Sequence, residues 1–236
     1  MAISFSHRST GTEIMDDLNF HDAVVFQTLR ELDFINHWLG GNTVTLKALE
    51  KVWDKIPKDK KISIADLGCG SGEMLRLISQ KAKTENRKVL LTGIDANPYI
   101  IDYAKEQSTH FENLSFDAVN IFSATFQQLQ FDIINATLFL HHFSNEELIH
   151  LFAAMKKQAK RAIIVNDIHR HPLAYFSIRW LTTLFSKSSM VKFDAPLSVL
   201  RAFKRNELKL ILEKAGIKNY ELKWKWAFRW QLIIFC

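Results

Sequence analysis

From residue 61 onward, short apolar runs alternate with longer stretches in which apolar residues recur at helical spacing. The apolar runs have the length of buried strands, and the stretches between them have the length of amphipathic helices. The predicted strands are residues 62–67, 89–94, 114–116, 131–136 and 161–165, and the predicted helices are 73–82, 99–109 and 145–157. Strands separated by such helices indicate βαβ units and a parallel sheet.

The two ends of the chain follow other patterns. Residues 1–60 are predicted to be helical, with one helix stopped by Gly40 and Gly41 and a second over 43–55. Near the other end, a loop or short helix over 194–203 precedes a helix over 204–215, which Gly216 ends. The last segments, 218–225 and 228–235, have the pattern of two strands joined by a tight turn. The prediction is a doubly wound α/β fold with a seven-stranded, mostly parallel sheet, N-terminal helices and a helical insertion after strand five.

Composition and charge narrow the class of protein. Hydrophobic residues make up 47% and charged residues 24%, which is typical of a globular domain with a sizeable core. The net charge is +6, with basic residues scattered over predicted helix ends and loops. This favours a solvated face, with weak attraction to an anionic membrane or to nucleic acid as the alternative. Two cysteines do not make a disulfide framework and fit a reducing, cytoplasmic location.

A glycine-rich turn follows the first predicted strand and carries the first chemical signal. It reads Asp66-Leu-Gly68-Cys-Gly70-Ser-Gly72. Glycines permit a tight turn and a close approach of a ligand to the backbone, and the helix behind them offers free N–H groups. The spacing G-x-G-x-G departs from the G-x-G-x-x-G that holds a dinucleotide pyrophosphate, which argues against the rival reading of a nicotinamide dehydrogenase.

Asp95 ends the second predicted strand and is the second signal. An acid at this strand end accepts hydrogen bonds from ribose hydroxyls in nucleotide-binding sheets. The alternative is that Asp95 merely caps the next helix.

With these two motifs the sequence resembles the class I S-adenosylmethionine-dependent methyltransferases. The resemblance covers roughly residues 61–165 and is carried by the Asp66 to Gly72 turn and by Gly93-Ile-Asp95-Ala-Asn97. It implies a Rossmann-like methyltransferase fold and S-adenosyl-L-methionine as the cofactor. By position, Gly68 and Gly70 would line its methionine part, Asp66 would hold the amino group and Asp95 would bind the ribose.

The resemblance also implies further cofactor contacts and a class of acceptor. The remaining cofactor residues would be Ala96, Asn120, Ile121 and Thr137, with Asn120 near the adenine amine. Residues 131–143 are similar to the ubiquinone/menaquinone-type branch, and residues 166–175 to bacterial small-molecule methyltransferases linked to polyketide or pigment pathways. These likenesses imply O- or C-methylation of a small aromatic or apolar acceptor, phenolic, quinol or polyketide-like.

Nucleic acid is not the expected partner. Residues 135–138 lack the Pro-Pro-aromatic motif of enzymes that methylate base amines. Two alternatives stay open: a non-catalytic S-adenosylmethionine-binding subunit of a biosynthetic complex and, less favoured, an RNA methyltransferase.

Histidines and aromatic residues follow the fourth and fifth predicted strands. His141 or His142 is a candidate general base, because neutral imidazole titrates near neutral pH; the alternative is that both only pack the loop. His169, His171 and Tyr175 are candidate substrate contacts. No acidic or cysteine partner stands at a metal-ligand spacing from these histidines, so no metal is expected.

The domain organisation predicted from these motifs has two parts. Residues 1–60 would form a helical lid or cap, in which the helix around 36–38 closes over the cofactor. Residues 61–236 would form the methyltransferase domain, with an acceptor-pocket insertion at about 168–203. Within the insertion, the aromatic segment 173–185 has three interpretations: it packs in the core, it walls the acceptor, or it lies on a membrane surface with Arg179 and Lys187 on its polar face.

Overall fold

In the part of the chain that the computed structural model describes, residues 3–18 and 23–236, seven strands form one sheet. They are β1 (Ile62–Leu67), β2 (Val89–Asp95), β3 (Leu114–Ala118), β4 (Phe131–Thr137), β5 (Ala159–Ile168), β6 (Tyr220–Lys225) and β7 (Arg229–Phe235). Their spatial order is β3-β2-β1-β4-β5-β7-β6. Strands β1 to β5 are parallel, and β7 pairs antiparallel with both β5 and β6. The predicted sheet is confirmed.

Helices cover both faces of this sheet. They are α1 (Ala23–Trp38), α2 (Gly41–Trp53), α3 (Glu73–Thr84), α4 (Pro98–Gln107), α5 (Ala124–Gln127), α6 (Asn145–Gln158), α7 (Pro172–Phe185), α8 (Ser189–Arg201) and α9 (Arg205–Lys214). Short 3-10 turns lie at Ile14–Asp16 and Leu140–His142. None of the helices that the structure describes is long and apolar enough to cross a bilayer.

Side chains of alternate strand residues pack into two apolar layers, one on each face of the sheet. Ile64, Ile133 and Ile164 pack on one face with residues of α2, α3 and α4, and the adjacent residues Ile134 and Ile163 pack on the other with α5, α6 and α9. Each fully buried side chain of this size contributes roughly 1.5–3 kcal/mol. Helix α2 lies in the expected cap segment, 1–60, yet it packs against β5 and β7 as part of the core.

The insertion after β5 contains two long helices. The sequence predicts a loop or short helix over 194–203, and Pro196 within it lacks the backbone N–H of a helical hydrogen bond. That expectation is wrong: α8 runs through Pro196 over thirteen residues. Its N-terminus is capped by Ser188, whose side chain accepts from the N–H of Val191. Burial of apolar side chains along α8, such as Met190 and Val199, compensates for the missing hydrogen bond.

The direction of strand connection reverses at the centre of the sheet. From β1 the chain moves to β2 and β3 on one side and then crosses to β4 and β5 on the other. Ligands of open α/β sheets bind outside the carboxyl ends of the strands at such a point. The glycine turn follows β1 and the His141–His142 pair follows β4, so both predicted motifs meet there.

Candidate functional site

Two cavities adjoin at the carboxyl ends of the strands. The first, here the loop cavity, has a volume of about 510 Å³ and is lined by Gly68, Gly70 and Asp95 among others. The second, the apolar cavity, has a volume of about 300 Å³ and lies between α1, α7, α8 and the β6–β7 turn. The residues that line both cavities are Met15, Leu138 and His142. Ligands in the two cavities would therefore meet at these three side chains.

The glycine turn forms one wall of the loop cavity. Gly68 has a φ of +64°, and a Cβ atom there would lie 2.1 Å from the ring of Phe139. Both the backbone conformation and the contact require glycine. The turn thus presents bare backbone to the cavity, in the place where the sequence motif predicts it.

Asp66 lies behind this turn rather than in the cavity. Its carboxylate is buried, and Oδ1 accepts a 2.6 Å hydrogen bond from Nδ2 of Asn135 on β4. Burial raises the pKa of Asp66 to about 7, and the nearby Asp95 carboxylate adds to the effect. Asp66 supports the turn, and it does not itself line either cavity.

Asp95 lines the loop cavity at the end of β2. Its Oδ1 accepts from the backbone N–H of Asn97 at 3.0 Å, and its Oδ2 lies 3.4 Å from the N of Gly70. The cap of α4 is Asn97, whose side chain accepts from the N–H groups of Tyr99 and Ile100. Asp95 is therefore not the cap of this helix, and its carboxylate borders the cavity.

The remaining predicted cofactor residues divide into two groups. Ala96, Asn120 and Ile121 all line the loop cavity. Thr137 lines neither cavity. Residues i and i+2 of a strand share a face, so Thr137 lies on the same face of β4 as Asn135, and its hydroxyl lies 3.0 Å from that of Thr45 on α2. The structure therefore does not place Thr137 in contact with a ligand in the loop cavity.

His141 is buried, and its ring is held by Asp167 near the end of β5. Nδ1 of His141 lies 2.8 Å from Oδ1 of Asp167, and Oδ2 of Asp167 accepts from the backbone N–H groups of Leu140 and His141. Burial alone would raise the pKa of Asp167, but the facing His141 ring and the backbone N–H of Ile168, which donates to Oδ1, hold it below its ordinary value. An ionised Asp167 orients the ring with Nδ1–H toward itself and leaves Nε2 as the acceptor.

His142 belongs to a second ion-pair network. Its Nδ1 lies 2.6 Å from Oδ1 of Asp16, and Nη1 of Arg201 donates to Oδ2 of Asp16 at 2.5 Å. Hydrogen bonds from these two partners outweigh burial and hold the pKa of Asp16 well below its ordinary value. Arg201 also donates to the backbone carbonyl groups of His141 and His142. The network fixes the two-histidine turn against the N-terminal segment.

Glu13 completes this cluster. Its carboxylate is buried, Oε2 accepts from Ser198, and Oε1 lies 3.9 Å from Nε2 of His141 without a hydrogen-bond partner. Burial raises the pKa of Glu13 to about 7. One ligand atom from each of Glu13, His141 and His142 falls within 4.8 Å of the others, the approximate spacing of a metal site. Arg201, 3.6 Å from the same Oε1, already places a positive charge there.

Helix α7 lines the apolar cavity, but with other residues than the sequence indicates. Ala174, Ser177, Ile178 and Leu181 recur at helical spacing and face the cavity. The predicted contact Tyr175 is one position away and packs edge-to-face on the ring of Phe5.

The two predicted histidines of this segment also lie outside the lining. Nδ1 of His171 caps α7 by accepting from the N–H of Leu173, and the ring stacks on Phe228. Nδ1 of His169 accepts from Nε1 of Trp224. The segment borders the apolar cavity, but the structure turns these three predicted side chains elsewhere, because their directions depend on where the first turn of α7 begins.

The N-terminal segment contributes residues that sequence reasoning missed. Thr10, Gly11, Thr12, Asp16 and Leu18 line the loop cavity. The helix expected to close over the cofactor, α1, lines the apolar cavity through Leu32, Ile35 and Asn36 and reaches the loop cavity through Leu29. No local pattern marks the 10–18 segment, since its position depends on contacts such as Arg201 with Asp16.

Leu138 is a further missed residue. It follows β4, lines both cavities and has a φ of +54°, a conformation that is rare for a branched residue. Its N–H donates to the carbonyl of Asn166 at 2.8 Å, which holds the strained position. Backbone strain of this kind clusters at ligand sites.

Comparisons with known structures agree with this architecture. The CurJ carbon methyltransferase is similar with a TM-score of 0.64 and 14% identity over 82% of this chain, which spans 53% of that chain. Human N-acetylserotonin methyltransferase, solved with S-adenosylmethionine, is similar with a TM-score of 0.61 and 18% identity; the match covers 89% of this chain and 55% of that one. The plantazolicin methyltransferase BpumL, solved with S-adenosylhomocysteine, is similar with a TM-score of 0.61 and 19% identity; the match covers 84% of this chain and 72% of that one. At these identities the similarity concerns the fold.

The family is shown by a direct sequence match. No curated protein matches the chain. A family model described as a methyltransferase domain matches residues 58–216, well over half of the 236 residues. The matched range contains the glycine turn, Asp95 and the two-histidine turn described above. The chain belongs to the methyltransferase domain family.

Proposed function

We propose that this protein transfers a methyl group from S-adenosylmethionine to a small apolar, aromatic acceptor. The single observation that carries the proposal is the junction of the two cavities at Met15, Leu138 and His142. One cavity has the polar backbone and carboxylate that a nucleoside needs, and the other is apolar. Methyl transfer requires donor and acceptor to meet in line and away from water.

The residues of the loop cavity fit S-adenosylmethionine. The bare turn at Gly68 and Gly70 would hold its methionine part, Asp95 would accept from the ribose hydroxyls, and Asn120 and Ile121 would border the adenine. When bound, this cofactor supplies an activated methyl group on a sulfonium. Asp66 would act through the turn that it supports. The structures solved with the cofactor or its product, named above, are consistent with this assignment.

The acceptor would occupy the apolar cavity. Its volume of about 300 Å³ is at the lower end of the range for small-molecule sites. Ile35, Ile178 and Leu181 offer apolar walls, whereas His141 and His142 offer ring nitrogens. We infer a phenolic or quinol-type acceptor, with the ubiquinone/menaquinone-type branch as the model for its chemistry. The carbon methyltransferase and N-acetylserotonin methyltransferase among the neighbours support a small molecule and leave O- and C-methylation open.

His141 is the general base in this proposal. Asp167 holds the Nδ1 side of the ring, so Nε2 is available to take the proton of an acceptor hydroxyl. Loss of that proton raises the electron density on the oxygen and on the adjacent ring carbon, and so favours both O-methylation and C-methylation. His142 lines both cavities and would position the two ligands relative to each other.

Of the N-terminal residues 1–60, those before α2 would act as the lid, because α2 belongs to the core, and residues about 168–203 would act as the acceptor-pocket insertion. Residues 1–2 and 19–22 of this lid lie outside the described part of the chain. In the described part, segment 10–18 and α1 border both cavities. The lid would exclude water from the junction.

A mass-spectrometric screen of phenols and quinols tests the proposal. We expect acceptor-dependent formation of S-adenosylhomocysteine and a product heavier by one methyl group. Binding of S-adenosylhomocysteine without turnover on any acceptor would favour a non-catalytic subunit. Turnover on RNA alone would contradict the assignment of the apolar cavity.

A further inference from the structure

Helix α7 exposes its apolar side to solvent. Leu173, Phe176, Trp180 and Leu184 recur at spacings of three and four residues and therefore share one face, and all are exposed. Trp180 is 65% exposed and Phe185, at the end of the helix, 73%. A surface helix normally turns such a face inward. In α7 the buried residues instead include the small Ala174 and the polar Thr182.

Two neighbouring elements add to this exposed apolar face. Phe34 and Trp38 on α1 are exposed and lie close to each other, with ring centroids 5.8 Å apart. Trp226, in the turn between β6 and β7, is 72% exposed and also lines the apolar cavity. The same three elements, α1, α7 and this turn, form walls of that cavity. Trp226 borders the cavity directly, and the other exposed aromatic residues lie on elements that wall it; we name this exposed aromatic set the aromatic rim.

The charges that accompany the aromatic rim are positive. Residues 172–193 contain Arg179, Lys187 and Lys192, all exposed, and no acidic residue. Helix α1 carries two acids: Asp33, next to Phe34, accepts from Ser71, and Glu31 hydrogen-bonds Ser186 and the N–H of Lys187. Its carboxylate is thus already paired with the turn after α7.

We propose that the aromatic rim docks on the surface of an anionic lipid bilayer. Tryptophan and phenylalanine insert at the boundary of headgroups and acyl chains, and adjacent Arg and Lys bind anionic headgroups. A second copy of the chain is the less suitable occupant. In a two-fold dimer the face would meet itself and bring Arg179, Lys187 and Lys192 against the same cations. A bilayer supplies the negative charge that this face lacks.

Docking in this orientation directs the mouth of the apolar cavity toward the membrane. An amphiphilic acceptor would then move from the bilayer into the cavity without crossing water. This inference goes beyond the proposed function, because membrane docking requires neither cofactor nor turnover, and either can fail alone.

Vesicle sedimentation of the full chain tests the docking. The probes are vesicles of phosphatidylcholine alone and of phosphatidylcholine with phosphatidylglycerol. We expect binding to the anionic vesicles, with a blue shift of tryptophan emission and quenching by brominated lipid. The Trp180→Ser/Phe185→Ser double variant should weaken this binding about 10-fold or more, since each lost aromatic removes a large apolar area. Neither residue lines either cavity.

The matched control is Leu210→Ser on α9, which removes an exposed apolar side chain away from the aromatic rim. It should leave vesicle binding unchanged, and circular dichroism should show all variants folded. Three results would overturn the proposal: no binding to anionic vesicles, binding that the double variant leaves intact, or a dimer in sedimentation velocity that the double variant dissociates.

Discussion

Asp167 holds both the ring and the backbone of His141: Oδ1 lies 2.8 Å from Nδ1, and Oδ2 accepts from the N–H of the same residue at 3.2 Å. The two atoms of one carboxylate thus fix the position and the tautomer of the ring. A base held in this way keeps its free nitrogen in one direction through the reaction.

His141→Gln is expected to lower the methylation rate about 10²- to 10⁴-fold, because it removes the basic nitrogen and keeps a hydrogen-bonding side chain. Asp167→Asn should lower the rate in the same direction, since an amide does not stabilise the protonated ring. Calorimetry with S-adenosylhomocysteine should give unchanged affinity for both variants. His150→Gln, at an exposed position of α6, is the control. Wild-type rates for His141→Gln across the pH range would show that His141 only packs the turn.

Asp95→Ala is expected to weaken S-adenosylhomocysteine binding about 10- to 100-fold. A hydrogen bond to a charged acceptor contributes roughly 1.5–3 kcal/mol, and each 1.4 kcal/mol corresponds to tenfold in affinity. The fold should survive, because Asn97 and not Asp95 caps α4. Asp102→Ala, on the exposed side of the same helix, controls for general effects of removing an acid. Equal affinity in folded Asp95→Ala would refute the ribose assignment.

Gly68→Ala is expected to destabilise the protein and to reduce cofactor affinity together. A positive φ costs a non-glycine residue roughly 1–2 kcal/mol, and the added Cβ would collide with Phe139. Gly216→Ala separates the two causes, since Gly216 has a φ of +70° and nothing within 4 Å of a Cβ. It should show the backbone cost alone. Chemical denaturation measures both variants, and equal losses of unfolding free energy would mean that the Phe139 contact is unimportant.

The glycine turn and Asp95 could be predicted from the sequence because the local backbone determines which residue types each position needs. A turn from strand to helix needs glycine whatever surrounds it, and Asp95 is placed by the end of β2. The alternation that predicts β1 to β5 is likewise a property of neighbouring residues. Sequence reasoning therefore identified the loop cavity before any geometry was known.

The acceptor side was harder to predict because it depends on distant contacts. Choosing Ala174 over Tyr175 requires the phase of α7, and a shift of one residue rotates a helix by about 100°. Glu13 and Asp16 reach the two histidines through contacts with residues more than 120 positions away. The spacing of residues along the chain does not indicate such long-range pairs.

Asp66→Asn is expected to flatten the pH dependence of stability. Burial raises the pKa of Asp66 from 3.8 to about 7 in the folded state. Between these two values the unfolded chain has released the proton and the folded chain retains it. The contribution of Asp66 to the unfolding free energy is therefore present below about pH 4 and lost as the pH rises through 7.

The amide variant has no proton to release, and its oxygen still accepts from Asn135. Relative to the wild type, Asp66→Asn should thus gain on the order of 1–4 kcal/mol between pH 4 and pH 8. Urea titrations of both proteins across this range measure the difference. Parallel curves would mean that Asp66 ionises alike in the folded and unfolded states.

The junction at Met15, Leu138 and His142 has a kinetic consequence. Apart from Met15, Leu138 and His142, the described residues that line one cavity do not line the other, so we expect each occupant to exchange on its own side of the junction. Neither occupant has to leave before the other can exchange. Initial-rate measurements should then follow a random sequential mechanism rather than a compulsory order. A spent cofactor can be replaced while the acceptor stays in place, which would permit successive methylations within a single encounter.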